Sequence, residues 1–152
     1  MVRTLIALTF LISTVNAADP IKIRTIAQGN FSGVQTPTQV AVTNATQWKE
    51  LWAKHSAQRT PAEKAPEINF DHETVLFAAL GRRNAGGHKI EIAEVKSLGD
   101  ATEVLINTRT PKPGGIQIQA LTAPFHIVAV PKLTGPVKFK LVEADPQSRP
   151  PR

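Results

Sequence analysis

The sequence predicts a mainly β (α+β) fold, in which an antiparallel sheet is folded as a sandwich or half-barrel with one packed helix. Twelve prolines and nine glycines divide the 152 residues into short pieces. Most of these pieces either alternate between apolar and polar residues or are brief apolar runs, as β-strands do. A single segment has helical spacing. Short strands, frequent turns and one helix are typical of a layered β architecture.

The strand predictions follow the alternation of side chains along the chain. Residues 74–80 form a continuous apolar run, which predicts a central strand buried on both faces. Residues 89–95 and 102–108 alternate on either side of Leu98-Gly99-Asp100, which predicts a hairpin. In the last strand Val137, Phe139 and Leu141 are expected to face inward. The remaining strands are expected at 21–26, 40–42, 116–118 and 125–130.

The predicted helix follows residues 30–37, a loop in which Phe31 is expected to be anchored. Asn44 is suited to cap the helix, and Gln47 to complete a capping box. The apolar side of the helix is expected to dock on the sheet rather than to serve as a ligand platform, since its residues recur at i, i+3, i+4 and i+7. These residues are Trp48, Leu51, Trp52 and His55.

The amino terminus has the three parts of a secretory signal peptide. Arg3 is followed by the apolar run 5–11 and by Val15-Asn16-Ala17, a suitable cleavage site. The run is too short to span a bilayer. We therefore expect residues 1–17 to be a signal peptide and the mature protein to be periplasmic or extracellular, without an integral membrane segment. Residues 18–143 are expected to form one domain, and the proline-rich residues 144–152 a disordered tail.

Composition restricts the kinds of partner and chemistry. The formal net charge is +6 and there is no cysteine, which excludes disulfides, thiol catalysis and thiolate metal sites. A positive charge favours anionic partners. The cations are dispersed along the chain and the protein is expected to be exported, so a protein partner is expected and nucleic acid is not.

The sequence has no catalytic or metal-binding motif. His55, His72, His88 and His126 form no HxH, HxxxH or HExxH pair, and each is expected to be a surface or half-buried residue. No serine has a nucleophile-elbow context. We therefore expect no enzyme activity, no metal and no cofactor.

The loop at residues 81–88 is the predicted binding site. Its glycines permit close approach of another molecule, its arginines suit carboxylates, and its ends are expected to be rigid while its tip is free. Residues 110–115 form a second, proline-stiffened turn with a weaker claim to binding. The predicted binding residues are Arg82, Arg83, Asn84, Gly86, Gly87 and His88.

Several weak motifs in a fixed order resemble the PrcB carboxy-terminal domain family. They are the helix TQWKELW, then PEINF, the apolar strand, Gly81 with Gly86-Gly87-His88 before KIEIAEV, residues 111–114, and TAPFHIVAVPK, together spanning roughly 31–142. The family commonly has Thr-Gly-Gly-Tyr where this chain has Ala85 to His88, and Asp where it has Asn69. The resemblance implies a non-catalytic accessory domain that binds or stabilises a protease or another exported protein.

A small exported protease inhibitor is the alternative. The loop at residues 84–88 is similar in style to the loops of chagasin-like inhibitors, although it lacks their proline, paired threonines and tyrosine. Inhibition predicts loops that cluster at one end of the β structure and project as a wedge. An accessory module predicts an exposed apolar patch or an unpaired strand edge.

Overall fold

The computed structural model describes residues 18–116 and 118–144. The predicted signal peptide and residues 145–152 of the predicted tail lie outside the described residues. The described chain forms eight strands and one helix. In chain order they are β1 (Asp19–Pro20), β2 (Arg24–Gly29), β3 (Thr38–Val42), α1 (Ala45–Ser56), β4 (Glu73–Ala79), β5 (Lys89–Leu98), β6 (Ala101–Arg109), β7 (Phe125–Pro131) and β8 (Val137–Glu143).

The strands form two four-stranded sheets, with the orders β1-β5-β6-β8 and β2-β7-β4-β3. Neighbouring strands are antiparallel, except that β8 runs parallel to β6. This exception arises because β7 lies between β6 and β8 in the chain but belongs to the other sheet. It carries the chain back to the end at which β6 begins, and β8 then runs in the same direction as β6. The predicted β-rich fold is confirmed as a sandwich, without closure into a barrel.

Two apolar cores lie on the two faces of the second sheet. Leu76 and Ala78 of β4 point into the core between the sheets, together with residues of β5, β6 and β7. Val75 and Phe77 point the other way, into the core beneath α1. The prediction that the run 74–80 is buried on both faces is therefore confirmed, because β4 is covered by a sheet on one side and by the helix on the other.

The helix docks through the tryptophans that its spacing predicted. Trp48 and Trp52 are only 3% and 5% exposed. Each indole N–H also has a backbone acceptor, since Trp48 donates to the Pro66 carbonyl at 2.9 Å and Trp52 to the Glu63 carbonyl at 2.8 Å. The stripe is part of the core, as expected from its 3.6-residue period.

Asn44 caps the helix as predicted, and the capping box closes in a modified form. The Asn44 side chain accepts a hydrogen bond from the Gln47 backbone N–H at 2.9 Å. The Gln47 side chain in turn accepts from the backbone N–H of Thr43, at 3.3 Å, rather than from that of Asn44. In a standard capping box the side chain at the third helical position accepts from the N-cap N–H. Here it accepts from the N–H of the residue before the N-cap.

Three strand predictions need correction. The strand expected at 21–26 begins at Arg24, although Ile21 and Ile23 both pack against the core between the sheets. Ile116 and Ile118 belong to no strand and are exposed, because their side chains have no sheet to face. Leu141 is 47% exposed rather than inward, since it lies near the end of β8, an edge strand of the first sheet.

Side chains from the second sheet complete the edge of β5. The short strand β1 pairs only with Lys96 and Ser97 at the far end of β5. Further along, the Ile92 N–H donates to Nδ1 of His126 at 2.9 Å, and the Ile90 carbonyl accepts from Gln28 at 3.5 Å. These contacts satisfy backbone groups that a longer neighbouring strand would otherwise pair.

The two ends of the sandwich differ, and we name them by their connections. The hairpin end carries the β5–β6 turn, with Gly99 and Asp100, and residues 132–136. The loop end carries the connections 30–37 and 81–88 and the connection between β6 and β7, of which residues 110–116 and 118–124 are described. Within the described residues, no helix has the length and apolar character that crossing a membrane requires.

Candidate functional site

The loop at residues 81–88 leaves β4 through a tightly enclosed glycine. Gly81 has φ of +72°, a conformation that favours glycine. A Cβ atom at this position would lie 2.7 Å from the Pro37 nitrogen and 2.8 Å from the Gln35 carbonyl oxygen. The segments 30–37 and 81–88 therefore touch backbone to backbone, and this contact requires the absence of a side chain.

Backbone hydrogen bonds brace the loop along its length. Arg83 and Thr122 exchange N–H···O bonds of 2.7 and 2.9 Å. The Gly86 N–H donates to the Ile118 carbonyl at 2.9 Å, and the Thr122 hydroxyl donates to the Ala85 carbonyl at 3.0 Å. The loop is thus held against residues 118–122, whereas the sequence predicted a free tip. Pairing of this kind is long-range and leaves no local signal in the chain.

The predicted binding residues remain together on this braced loop. Arg82 and Asn84 are exposed, and Arg83 and His88 are half-buried. Burial and then the nearby Arg83 charge lower the pKa of His88. Gly87 has φ of +88° and packs close to Pro111, so the 110–116 segment lies against the same loop.

Exposed apolar side chains gather around the loop. Phe31 is 67% exposed, Ile118 75% and Leu121 58%. Leu141 and Val142 are also exposed, where β8 reaches the loop end beside residues 106 and 107 of β6. The expectation that Phe31 is anchored is therefore wrong, because its ring lies outside both cores.

Phe31 and Leu121 line a groove of about 120 Å³ at the loop end. Arg82 lies on the same groove, so the predicted binding loop contributes a guanidinium to an otherwise uncharged lining. Sequence reasoning missed this groove, since its members come from four separate segments and show no periodic pattern. The other lining residues are Ser32, Gln35, Gln58, Thr122 and Ala123.

Two histidines are fully buried, although all four were expected to be at the surface or half-buried. His126 accepts from the Ile92 N–H through Nδ1, so its Nε2 carries the proton in the neutral ring and faces the Thr25 hydroxyl at 3.1 Å. Burial lowers its pKa. His126 therefore joins the sheets as a neutral side chain.

His55 lies in the last turn of α1, where the helix reaches the loop end. Its Nδ1 and the Ser32 hydroxyl share a hydrogen bond of 3.0 Å, while its Nε2 has no partner among the described residues. Burial, followed by the Arg59 charge, lowers its pKa to about 4. Aromatic rings surround it, with the Phe125 centroid at 4.3 Å.

A serine beside a histidine is the pairing that nucleophilic catalysis uses. Here Ser32 and His55 are each only 1% exposed, and Ser32 also accepts from the Val34 N–H at 3.1 Å. No carboxylate orients the second imidazole nitrogen within the described residues. The Ser32–His55 pair is therefore a buried hydrogen bond that holds segment 30–37 against the helix.

No group of three or more His, Asp or Glu side chains among residues 18–116 and 118–144 is placed to hold a metal ion. His72 and His88 lie apart, one beside the start of β4 and the other before β5.

No curated protein and no solved structure matches this chain. Residues 74–131 match the family described as PrcB C-terminal. The matched segment runs from β4 to β7, and so includes the loop at 81–88 and Leu121. The resemblance to the PrcB C-terminal family that the motifs indicated is confirmed over residues 74–131.

Proposed function

We propose that this protein is an exported, non-catalytic accessory module that binds another exported protein through its loop end. The observation that carries the proposal is the groove on which the exposed side chains of Phe31 and Leu121 lie with Arg82. Contiguous exposed apolar side chains on a folded protein commonly mark interaction sites. Aromatic residues and arginine are also enriched among the side chains that dominate binding energy.

Rigidity of the loop end supports this assignment. The backbone bonds from Arg83 to Thr122 and from Gly86 to Ile118 hold the surface in one conformation before a partner arrives. A preformed surface loses less conformational entropy on association than a mobile one. The bracing therefore favours binding even though it removes the free tip that the sequence predicted.

Other features support the non-catalytic and exported parts of the proposal. Ser32 and His55 are enclosed, so their hydrogen bond leaves no hydroxyl open to a substrate carbonyl. Arg3, the apolar run 5–11 and Ala17 support export. The resemblance to the PrcB C-terminal family supports a protease or another envelope protein as the partner.

Inhibition of a protease is the second candidate. It is favoured by the clustering of three connections between strands at one end of the sandwich, the arrangement that an inserting inhibitor needs. Backbone hydrogen bonds hold the loop 81–88 against residues 118–122, whereas an inserting inhibitor needs a loop that projects. We therefore place inhibition second.

Capture from an envelope extract tests the proposal when three baits are compared. The baits are the wild-type tagged protein, a Phe31→Ala/Leu121→Ala double variant and a Leu98→Ala control, which removes an exposed leucine at the hairpin end. We expect one partner to be retained by the wild type and the control and lost from the double variant. Equal retention by all three would contradict the use of the loop end.

The activity of a captured protease separates the two candidates. If this protein is an accessory module, adding it should leave the initial rate of the protease unchanged and prolong the time for which the protease stays active. A lower initial rate at stoichiometric amounts would instead support inhibition. Amino-terminal sequencing of material from the envelope fraction tests export, for which the expected start is Ala18; retention of Met1 on cytoplasmic protein would contradict it.

A further inference from the structure

The groove at the loop end is lined by both apolar and polar residues. Phe31 and Leu121, both more than half exposed, form part of its lining, and the buried residues Ser32, Thr122 and Ala123 lie at its base. Its volume of about 120 Å³ suits one large side chain rather than a whole small-molecule ligand.

Arg82 is the charged residue among those that line this groove. Its N–H donates to the Gln35 carbonyl at 2.9 Å, which fixes the position of its backbone. Its guanidinium forms no ion pair with any described residue. A guanidinium offers a planar set of donors that matches a carboxylate in a bidentate arrangement.

The groove also lacks negative charge of its own. None of its eight lining residues is acidic, and the amides of Gln35 and Gln58 are its other polar side chains of any length. The adjacent residue in the chain, Arg83, adds a second positive charge. Charge complementarity therefore favours an anionic occupant over a neutral or basic one.

We infer that the groove receives an acidic segment of the partner protein in which a carboxylate lies next to a large apolar side chain. This inference rests on the proposed function and adds the chemistry of the partner. The apolar side chain lies between Phe31 and Leu121, and the carboxylate accepts hydrogen bonds from Arg82.

Selection of short random peptides displayed on phage, with the full exported chain as the target, tests this chemistry. We expect the wild type to enrich peptides with Asp or Glu beside Leu, Ile, Phe or Trp. Arg82→Glu should reverse the charge preference toward Lys or Arg at the same position. Lys22→Glu makes the same change of charge at an exposed residue away from the loop end, and should leave the wild-type preference intact.

Affinity measurements on one enriched peptide show how much Arg82 contributes to binding. Arg82→Ala should weaken its binding by about tenfold or more, and Arg82→Lys should restore part of the loss, because it keeps the charge without the planar donors. Replacing the acidic residue of the peptide by its amide should weaken wild-type binding and have little effect on the Arg82→Ala variant. Thermal melting of each variant verifies that it is folded.

Enrichment without a preference for acidic residues, or unchanged affinity in Arg82→Ala, would overturn the inference. The proposed function fails differently, because its test is the loss of the captured partner from the Phe31→Ala/Leu121→Ala bait. A partner that is lost from that bait and retained in full by Arg82→Glu would leave the function in place and refute the acidic segment.

Discussion

The hairpin end and the loop end terminate the same two sheets in different ways. At the hairpin end Arg24 pairs with Glu73 at 2.6 Å, and Lys132 donates to the Phe70 carbonyl at 2.9 Å. Leu98 is the one large apolar side chain exposed there among the described residues. At the loop end the connections are longer, several apolar side chains are exposed and Arg82 has no ion-pair partner among those residues.

Under the proposed function, this difference separates stability from recognition within one small fold. The hairpin end holds Arg24, Glu73 and Lys132 in contacts within the chain, whereas the loop end pairs its backbone groups and leaves apolar side chains exposed. Exposed apolar area costs solubility and gives no stability to the isolated chain. Its concentration at one end is therefore the strongest physical evidence that this end meets another molecule.

The largest expected effect comes from removing the support of the loop end. Trp52→Ala should lower the free energy of unfolding by ~3–5 kcal/mol, because it empties part of the core beneath the helix. Trp52 packs against His55, with ring centroids 5.2 Å apart, and the His55 carbonyl holds Gly33 at the loop end. Urea unfolding gives the measurement, and Lys49→Ala on the exposed side of the same helix is the control. An unchanged midpoint in Trp52→Ala would contradict the assignment of this residue to the core.

The next effect is pH-dependent and tests the buried histidine beneath the loop end. The pKa of His55 is about 4 in the folded protein against an ordinary value of 6.5, so the unfolded chain takes up its proton first as the pH falls. The free energy of unfolding therefore has its full value, as far as His55 is concerned, above pH 6.5. It decreases as the pH falls from 6.5 through about 4. The loss should be about 3 kcal/mol, by the free energy that corresponds to each pKa unit.

Unfolding free energies measured across this pH range provide the comparison for His55. His55→Gln should flatten the dependence and leave the parts due to His126 and His88, whose pKa values are also lowered by burial. His72→Gln alters an exposed histidine and is the matched control. Equal slopes in the wild type and in His55→Gln would refute the role of His55.

A direct contrast of the two ends has a smaller expected effect. Phe31→Ala with Leu121→Ala should weaken partner binding by ~2 kcal/mol and leave the melting temperature nearly unchanged, because both side chains are outside the cores. Leu98→Ala should change neither quantity. Titration calorimetry and thermal melting on the same samples measure the two effects, and a stability loss as large as the binding loss would contradict the separation.

The smallest effect belongs to the far end of the helix. Asn44→Ala removes the cap that accepts from the Gln47 N–H, and should lower the free energy of unfolding by ~1 kcal/mol. Because the cap lies toward the hairpin end, partner affinity should stay the same. Chemical unfolding and a binding titration measure the two quantities, and weakened binding would show that the ends are coupled through the helix.

The sequence predicted well the elements whose signals are local. Alternation located β5 and β6, the continuous apolar run located β4, and the tryptophan spacing located the docked face of α1. These predictions succeed because each strand or helix is covered on the side that its own pattern specifies.

Features that depend on distant pairing were not predictable in this way. Ile116 and Ile118 alternate like strand residues and yet face solvent, and Leu141 follows the alternation of β8 into an exposed position. The groove combines Phe31, Arg82 and Leu121 from three loops, so no window of the sequence contains it. The loop at 81–88 was identified by composition, whereas its bracing by residues 118–122 could not be.

The chain enters and leaves the sandwich at opposite ends, which decides how the protein can be attached to a surface. Asp19 pairs with Ser97 beside the β5–β6 turn, whereas the Ala144 N–H donates to the Thr108 carbonyl at 2.7 Å, close to the loops. A tag, fluorophore or immobilising linker placed ahead of residue 18 would leave Phe31 and Arg82 pointing away from its support. The same group joined after residue 144 would lie at the loop end itself, so the two attachment points are not interchangeable in a binding assay.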